Sequence, residues 1–331
     1  MSNKKNILVI GEIAGNTLSP ITGELITAAS QLAEVTQGET ITVLCGESLA
    51  DAGEQALSVG AKKVLILEDP LLQDFQIGAF VEALEQVVTT VDPAVILIGK
   101  TSLGSDIGPR LAFRLNLGMI QDCVDIRINS DTNTLEADRP VYGGASLAKV
   151  VVHTEIGLAT IRPKSFESSP PDSTKTGSIE KFPIELSPEK ATFSLQERIK
   201  AKAEGIRLED ARVVIGGGRG LGGSEPFEKL EELAQALGGA VGASRAVCDA
   251  GWLPHSYQIG LTGKTISADL YITVAISGAS QHLAGISGVK NIVGINKDKE
   301  ANVFKQARFG VVGDWQNVLP SFIETVHELT G

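Results

Sequence analysis

The stretch Ala211-Arg-Val-Val-Ile-Gly-Gly-Gly-Arg-Gly-Leu-Gly-Gly-Ser-Glu-Pro226 sets a short β-branched run against six glycines and one arginine, directly ahead of an amphipathic helical pattern. Glycine lets the backbone turn sharply and approach a ligand closely, because it carries no Cβ. The N–H groups that open a helix have no internal partners and favour an anion. Arg219 adds a permanent positive charge to the loop. This is the pattern of a phosphate cradle for a nucleotide-type cofactor. Gly218, Gly220 and Gly223 satisfy GxGxxG in the strand–loop–helix setting, which suits a dinucleotide site and a plain tight turn equally. The acid expected about 20 residues further on for ribose recognition is absent. Residues 240–246 hold Ser244 and Arg245 instead, so the NAD fingerprint is incomplete.

Working outward, residues 1–118 alternate two periods. Strand-like runs at 7–13, 40–45, 63–67 and 94–98 are separated by helical patterns at 20–34, 48–58 and 78–88. The strand runs are continuously apolar, as strands covered on both faces are, and the βαβα order predicts a doubly wound parallel sheet. Beyond Gly118 the runs at 122–128, 134–137, 148–153 and 157–161 are short and turn-separated, and predict a partly antiparallel extension. Residues 166–178, rich in proline and small polar side chains, predict an exposed connection, with 184–193 closing the linking region. A second α/β unit begins near Arg212. Its expected strands are 212–215, 258–261, 270–276, 291–295 and 310–312, with helices at 226–237, 280–286 and 315–329. The expected fold class is α/β, in two doubly wound domains spanning 1–195 and 196–331, the second of Rossmann-like type.

Composition narrows the partners. Across 331 residues, 29 basic against 40 acidic side chains give a net charge of −11, which repels nucleic acid and anionic membranes. Cys45, Cys123 and Cys248 are widely separated and form no CxxC pair, so zinc and iron–sulfur ligand spacing is missing. The chain enters a strand at Asn6 with neither a signal-peptide nor a presequence pattern, and no apolar run reaches membrane-spanning length. These features lead us to expect a cytoplasmic protein without an integral membrane segment. Two GK[ST] fragments, at Gly99 and Gly263, lack the glycine five residues earlier, where Ala94 and Gln258 stand. No GxSxG elbow, paired-carboxylate motif or His–Asp arrangement is present.

Three small-residue clusters follow the glycine loop: residues 243–250 around Ser244 and Arg245, residues 260–265, and Ser277-Gly-Ala-Ser-Gln-His282. Arg245 alone reads as a surface arginine, residues 260–265 as a turn, and His282 as a satisfied structural histidine. Their shared placement after apolar strands, on the rim where open α/β sheets bind ligands, is what points to a site.

The ordered set Gly217-Gly-Arg-Gly220, Val241-Gly-Ala-Ser-Arg-Ala246, Gln258-Ile-Gly-Leu-Thr-Gly-Lys-Thr265, Ile276-Ser-Gly-Ala-Ser-Gln-His-Leu-Ala-Gly285 and Ile292-Val-Gly-Ile-Asn-Lys-Asp298 closely resembles the electron transfer flavoprotein alpha subunits. Residues 99–110, Arg139-Pro-Val-Tyr-Gly-Gly-Ala145 and Thr160-Ile-Arg-Pro-Lys-Ser-Phe166 extend the resemblance over essentially the whole chain. It implies a heterodimer with a homologous beta subunit and FAD held mainly in the C-terminal domain, with AMP or a second FAD in the partner. It implies electrons taken from flavin dehydrogenases of acyl-CoA dehydrogenase type, as in fatty acid beta-oxidation, and passed to a quinone reductase or other acceptor.

By the same resemblance, Arg245 lies against the isoalloxazine, Thr262 donates near flavin N5 and His282 approaches the pyrimidine carbonyl, in a loop that includes Ile259, Gly260 and Leu261. Ser277, Gly278, Ala279, Ser280 and Gln281 wrap the pyrophosphate, assisted by Arg219 and Ser244. Asn296 and Asp314, with Trp315, serve the adenosine half. A fixed guanidinium beside the N1–C2=O side of the ring stabilises the charge that reduction puts there. Many relatives carry glutamine where this chain has Leu261, which leaves open a flavin-bifurcating type using NADH and ferredoxin. An NAD-dependent oxidoreductase rests on GxGxxG alone, and a nucleotide-sensing protein remains the non-redox reading.

Overall fold

The computed structural model describes residues 5–129, 131–144, 146–190, 193, 197 and 206–330. It divides into two compact units. One comprises Met1–Val141 with Leu147–Arg198, the other Tyr142–Ser146 with Ile199–Gly331. The boundary expected between 195 and 196 lies outside the described residues. Among the described residues no helix is long and apolar enough to cross a membrane.

The first unit is built on a seven-stranded sheet in the order Ser178–Lys181, Lys63–Glu68, Thr40–Gly46, Ile7–Ile10, Val95–Gly99, Gly157–Ile161, Gly118–Cys123. Its strand pairs run parallel. Helices Pro20–Thr36 and Ala50–Val59 cover one face, and Ile77–Val91 and Ser102–Leu115 the other. Both faces are therefore apolar, which is why Ile7–Ile10 and Val95–Gly99 are buried throughout. After Lys63–Glu68 the chain crosses to the far side of Ile7–Ile10, so the strand order reverses between Ile7–Ile10 and Val95–Gly99. That reversal is a topological switch point.

Three details depart from the sequence-based expectation. Helix Ser102–Leu115 was not foreseen, because Gly104, Gly108 and Pro109 interrupt the helical period. Both glycines are required by packing. A Cβ at Gly104 would lie 1.9 Å from the Gly99 carbonyl oxygen, and one at Gly108 would lie 2.7 Å from the Met119 methyl. Strands Gly118–Cys123 and Gly157–Ile161 join the parallel sheet, leaving Asp125–Asn129, Thr134–Val141 and Ser146–Val151 as the separate three-stranded sheet, antiparallel between its first two strands. The expected connection at 166–178 leads straight into Ser178–Lys181, which pairs in parallel with Lys63–Glu68.

The second unit has five strands in the order Ala240–Ala243, Val213–Gly217, Leu270–Val274, Asn291–Asn296, Phe309–Val312, all pairs parallel. Two apolar clusters pack on its two faces, one under helices Phe227–Ala236 and Trp315–Thr330. Residues 258–261, expected as a strand, make only two isolated bridges, from Ala243 to Gln258 and from Ile259 to Lys264. The segment meets the outer edge of Ala240–Ala243 at a single bridge and then turns back at Gly260–Gly263, so it continues as a loop. The edge strand in its place is Ala240–Ala243, whose small residues let Ile259 pack against Gly242.

The segment Thr160–Phe166 is held by buried polar groups. Arg162 donates from Nε and Nη2 to the two oxygens of Asp122, at 2.9 and 2.6 Å, a bidentate pair. Glu24, 8% exposed on helix Pro20–Thr36, accepts the Lys164 N–H at 2.6 Å. Burial raises the Glu24 pKa to about 7, against the opposing effect of the backbone donors at Lys164 and Phe166. The folded chain thus holds this proton more tightly than the unfolded chain does. Its contribution is complete below the ordinary glutamate value and is lost as pH rises through about 7. The Glu24→Gln variant should therefore lose less stability than wild type between about pH 4.5 and 7, by about 3 kcal/mol. Urea midpoints across that range test this, and parallel curves would contradict it.

Candidate cofactor-binding site

The rim at the carboxyl ends of the second unit's strands is assembled by close backbone contacts. Val213–Gly217 ends in a loop with a 3-10 turn at Arg219–Leu221. The Gly218 N–H donates to Val274 O at 2.9 Å, and a Cβ at Gly218 would lie 2.0 Å from the Ala275 carbonyl oxygen. Ala275 itself has φ +57°, a left-handed conformation uncommon for a residue with a Cβ. The loops after the first and third strands thus touch backbone to backbone. A second contact joins residues 259–262 to the short helix Ser280–Ala284. The Leu261 N–H donates to Gln281 O at 2.7 Å, and a Cβ at Gly285 would lie 2.5 Å from Gly260 N. The Ser244 N–H donates to Gly217 O and the Ile259 N–H to Ala243 O, fastening the remaining loop.

This geometry gathers the expected residues along one edge. Arg219 is exposed in the first loop, where a Cβ at neighbouring Gly222 or Gly223 would meet nothing. The first loop therefore opens outward, while Gly218 closes its floor. Ser244 stands at the N-cap position of the short helix Arg245–Asp249 without a side-chain bond to it, and the exposed Arg245 pairs with Asp249 at 3.3 Å. Ile259 is buried and Leu261 is 69% exposed. Thr262 is exposed, and its hydroxyl accepts from Gln258 Nε2 at 3.0 Å. Ser277, Ala279, Ser280 and Gln281 are exposed, and buried Gly278 at φ +78° backs onto Val303. Asn296 donates to Ile276 O and accepts from the Asp298 N–H. Exposed Asp314 and half-buried Trp315 follow the last strand, with Asp314 accepting the Gln316 N–H. From Ala240–Ala243 to Phe309–Val312 is four strand steps, roughly 19 Å, so the rim has the length of an extended dinucleotide.

His282 differs from the expectation. It is 6% exposed, with Nδ1 3.0 Å from Ile259 O and Nε2 3.0 Å from the Tyr271 hydroxyl. A carbonyl only accepts, so Nδ1 carries the proton and Nε2 accepts from Tyr271. Burial lowers the His282 pKa to about 4, despite the Ile259 carbonyl, which keeps the ring neutral. The imidazole has no second proton to offer a carbonyl on a ligand, and it braces the Ile259–Thr262 loop from behind. Tyr271 and Gly216 were not foreseen as part of this arrangement. Tyr271 is fully buried, and a Cβ at Gly216 would lie 2.0 Å from its hydroxyl. The only sequence signal for them is the bare glycine two residues before Gly218.

Two outcomes follow from this packing. Gly218→Ala drives a Cβ into a backbone carbonyl and should destabilise the second unit by about 2–3 kcal/mol. Both tryptophans, Trp252 and Trp315, lie in that unit, so their fluorescence during guanidinium unfolding reports it alone, and an unchanged midpoint would refute the contact. His282 should stay neutral, with the proton on Nδ1, across about pH 5–8 in nitrogen NMR spectra. An imidazole titrating near 6.5, or one protonated at Nε2, would contradict the assignment.

A family model described as the electron transfer flavoprotein domain matches residues 7–187, and one described as the electron transfer flavoprotein FAD-binding domain matches residues 207–287. The second match covers the glycine loop, the Arg245 and Thr262 loops and the Ser277–His282 segment. The chain is 39% identical over 325 residues to the electron transfer flavoprotein subunit alpha of Bacillus subtilis (strain 168), covering 98% of each chain. It is 36% identical over 334 residues to that of Megasphaera elsdenii, covering 100% of this chain and 99% of the relative. Protein FixB of Azorhizobium caulinodans is 35% identical over 328 residues, covering 97% of this chain and 88% of the relative. With two flavoprotein domains in order and full-length relatives at this identity, the chain belongs to the electron transfer flavoprotein alpha subunit family.

Proposed function

We propose that this chain is the FAD-holding half of a cytoplasmic heterodimer with a beta subunit. It takes electrons from flavin dehydrogenases of acyl-CoA dehydrogenase type and passes them to a quinone reductase or another acceptor. The observation that carries the reading is the coincidence of the FAD-binding family match with the backbone-linked rim. The cradle suits the group: Gly218 and Gly278 close its floor where a Cβ would not fit, and Gly222 and Gly223 leave its front open. FAD supplies the one- and two-electron redox chemistry. The chain supplies position and field.

In this reading Arg245 lies against the flavin ring, where its charge favours added electrons. Gln258 already donates to the Thr262 oxygen, so the Thr262 hydroxyl proton is free to point at flavin N5. His282 sets the loop from behind rather than donating. Ser277 to Gln281, with Arg219 and Ser244, hold the pyrophosphate, while Asn296, Asp314 and Trp315 hold the adenosine half. Leu261 is exposed in this loop, and the resemblance implies glutamine at its position in many relatives, which favours one second reading, a flavin-bifurcating subunit using NADH and ferredoxin.

Flavin absorption and cofactor stoichiometry of the purified pair test the proposal. One FAD per pair supports the simple carrier, two support the bifurcating form, and none after reconstitution with excess FAD overturns both. Arg245→Ala should lower the flavin potential by about 60 mV, equivalent to about 1.4 kcal/mol for one electron. An unchanged redox titration would remove Arg245 from the ring.

A further inference from the structure

The first unit has a crevice of its own at the switch point. A cavity of about 280 Å³ opens beyond the ends of Ile7–Ile10, Thr40–Gly46 and Val95–Gly99, walled by Leu72, Phe75, Phe80, Leu84, Leu103 and Ile107. Phe75 meets Phe80 edge to face at 5.0 Å and is 41% exposed, leaving ring surface free at the cavity. Open parallel sheets bind ligands at this place.

The polar groups decide what kind of ligand fits. No Lys or Arg lines the cavity, whereas Glu12 and Glu47 both do. Glu12 also takes the position a phosphate would need. Its Oε1 accepts the Thr101 hydroxyl at 2.6 Å, and Thr101 caps helix Ser102–Leu115 by accepting the Gly104 N–H. The protein's own carboxyl group therefore stands at the helix end where an anion would be favoured. The Glu12 main chain is fixed by reciprocal bonds to the Thr22 hydroxyl, at 2.7 and 2.8 Å. With Oε1 engaged, Oε2 is the remaining hydrogen-bonding position. Burial raises the Glu12 pKa, against the opposing Thr101 bond. The volume equals about nine waters at roughly 30 Å³ each, at the lower end of small-molecule pockets. That is room for one fused ring system between the apolar walls.

We infer that this crevice is a second ligand site, which takes an uncharged planar nitrogen heterocycle without phosphate, of purine-base type. The ring stacks on Phe75 while an N–H on its edge donates to Glu12. This site lies within the first unit and does not depend on the flavin reading.

The test is calorimetric titration of adenine into the full chain saturated with FAD, so that the second unit's adenine-binding positions are filled. Adenine should bind one to one, and AMP about tenfold more weakly. Phe75→Ala and Glu12→Ala should each weaken adenine by about tenfold or more. Glu12→Gln keeps the Thr101 bond through its carbonyl oxygen but presents a donor-only NH2 where Oε2 accepts, and should weaken adenine by about tenfold as well. Phe75 is partly exposed, so its variant carries the test even where Glu12→Ala fails to fold. Absent binding, binding unchanged in Phe75→Ala, AMP binding as tightly as adenine, or unchanged binding in Glu12→Gln would each overturn the inference. The flavin spectrum of the same samples reports separately on the second unit.

Discussion

The second unit is organised around one backbone contact, in which Gly218 presses against the Ala275 carbonyl. Any side chain at 218 would sit within 2.0 Å of that oxygen, and Ala275 must turn left-handed to present it. The contact joins the loops after two adjacent strands. It lets Ser244 bond to Gly217 and Ile259 bond to Ala243, and so carries the Thr262 loop onto the same rim. The proposed flavin site on this unit would be a property of the backbone first, with exposed Arg245 and Thr262 on the same rim.

The two units show how one architecture is specialised by what stands at the ends of its strands. Both have all-parallel main sheets packed on two faces. In the first unit a carboxyl group, Glu12, reaches the helix that starts beyond the switch point, and the surrounding walls are apolar. In the second, glycine backbone and exposed cationic and hydroxyl side chains occupy the rim. The first arrangement disfavours an anion and the second welcomes one. Buried polar pairs such as Arg162 with Asp122 fix the first unit's loops without contributing a visible cofactor seat.

Much of this was readable from sequence. Strands such as Lys63–Glu68 and Asn291–Asn296 appear as unbroken apolar runs because both their faces are covered. The glycine loop and the 277–282 cluster stand out because their composition serves no core. What escaped notice was set by close approach. Helix Ser102–Leu115 hides behind glycines that its packing requires, and Ala240–Ala243 is a strand made of small residues that carry little β signal. Residues 258–261 have strand-like composition but meet the edge strand Ala240–Ala243 at one bridge only, because the chain turns back at Gly260–Gly263. The inward turn of His282 depends on Tyr271, eleven residues away, and no local pattern encodes that pair.

The central claim is that the flavin lies along the glycine-built rim of the second unit. Hydrogen–deuterium exchange of the full chain with its partner, with and without FAD, tests it most directly. FAD should slow exchange at residues 217–223, 259–262 and 276–283 and leave the crevice around residues 10–16 of the first unit unchanged. Protection confined to the first unit, or none along the rim at saturating FAD, would contradict the account.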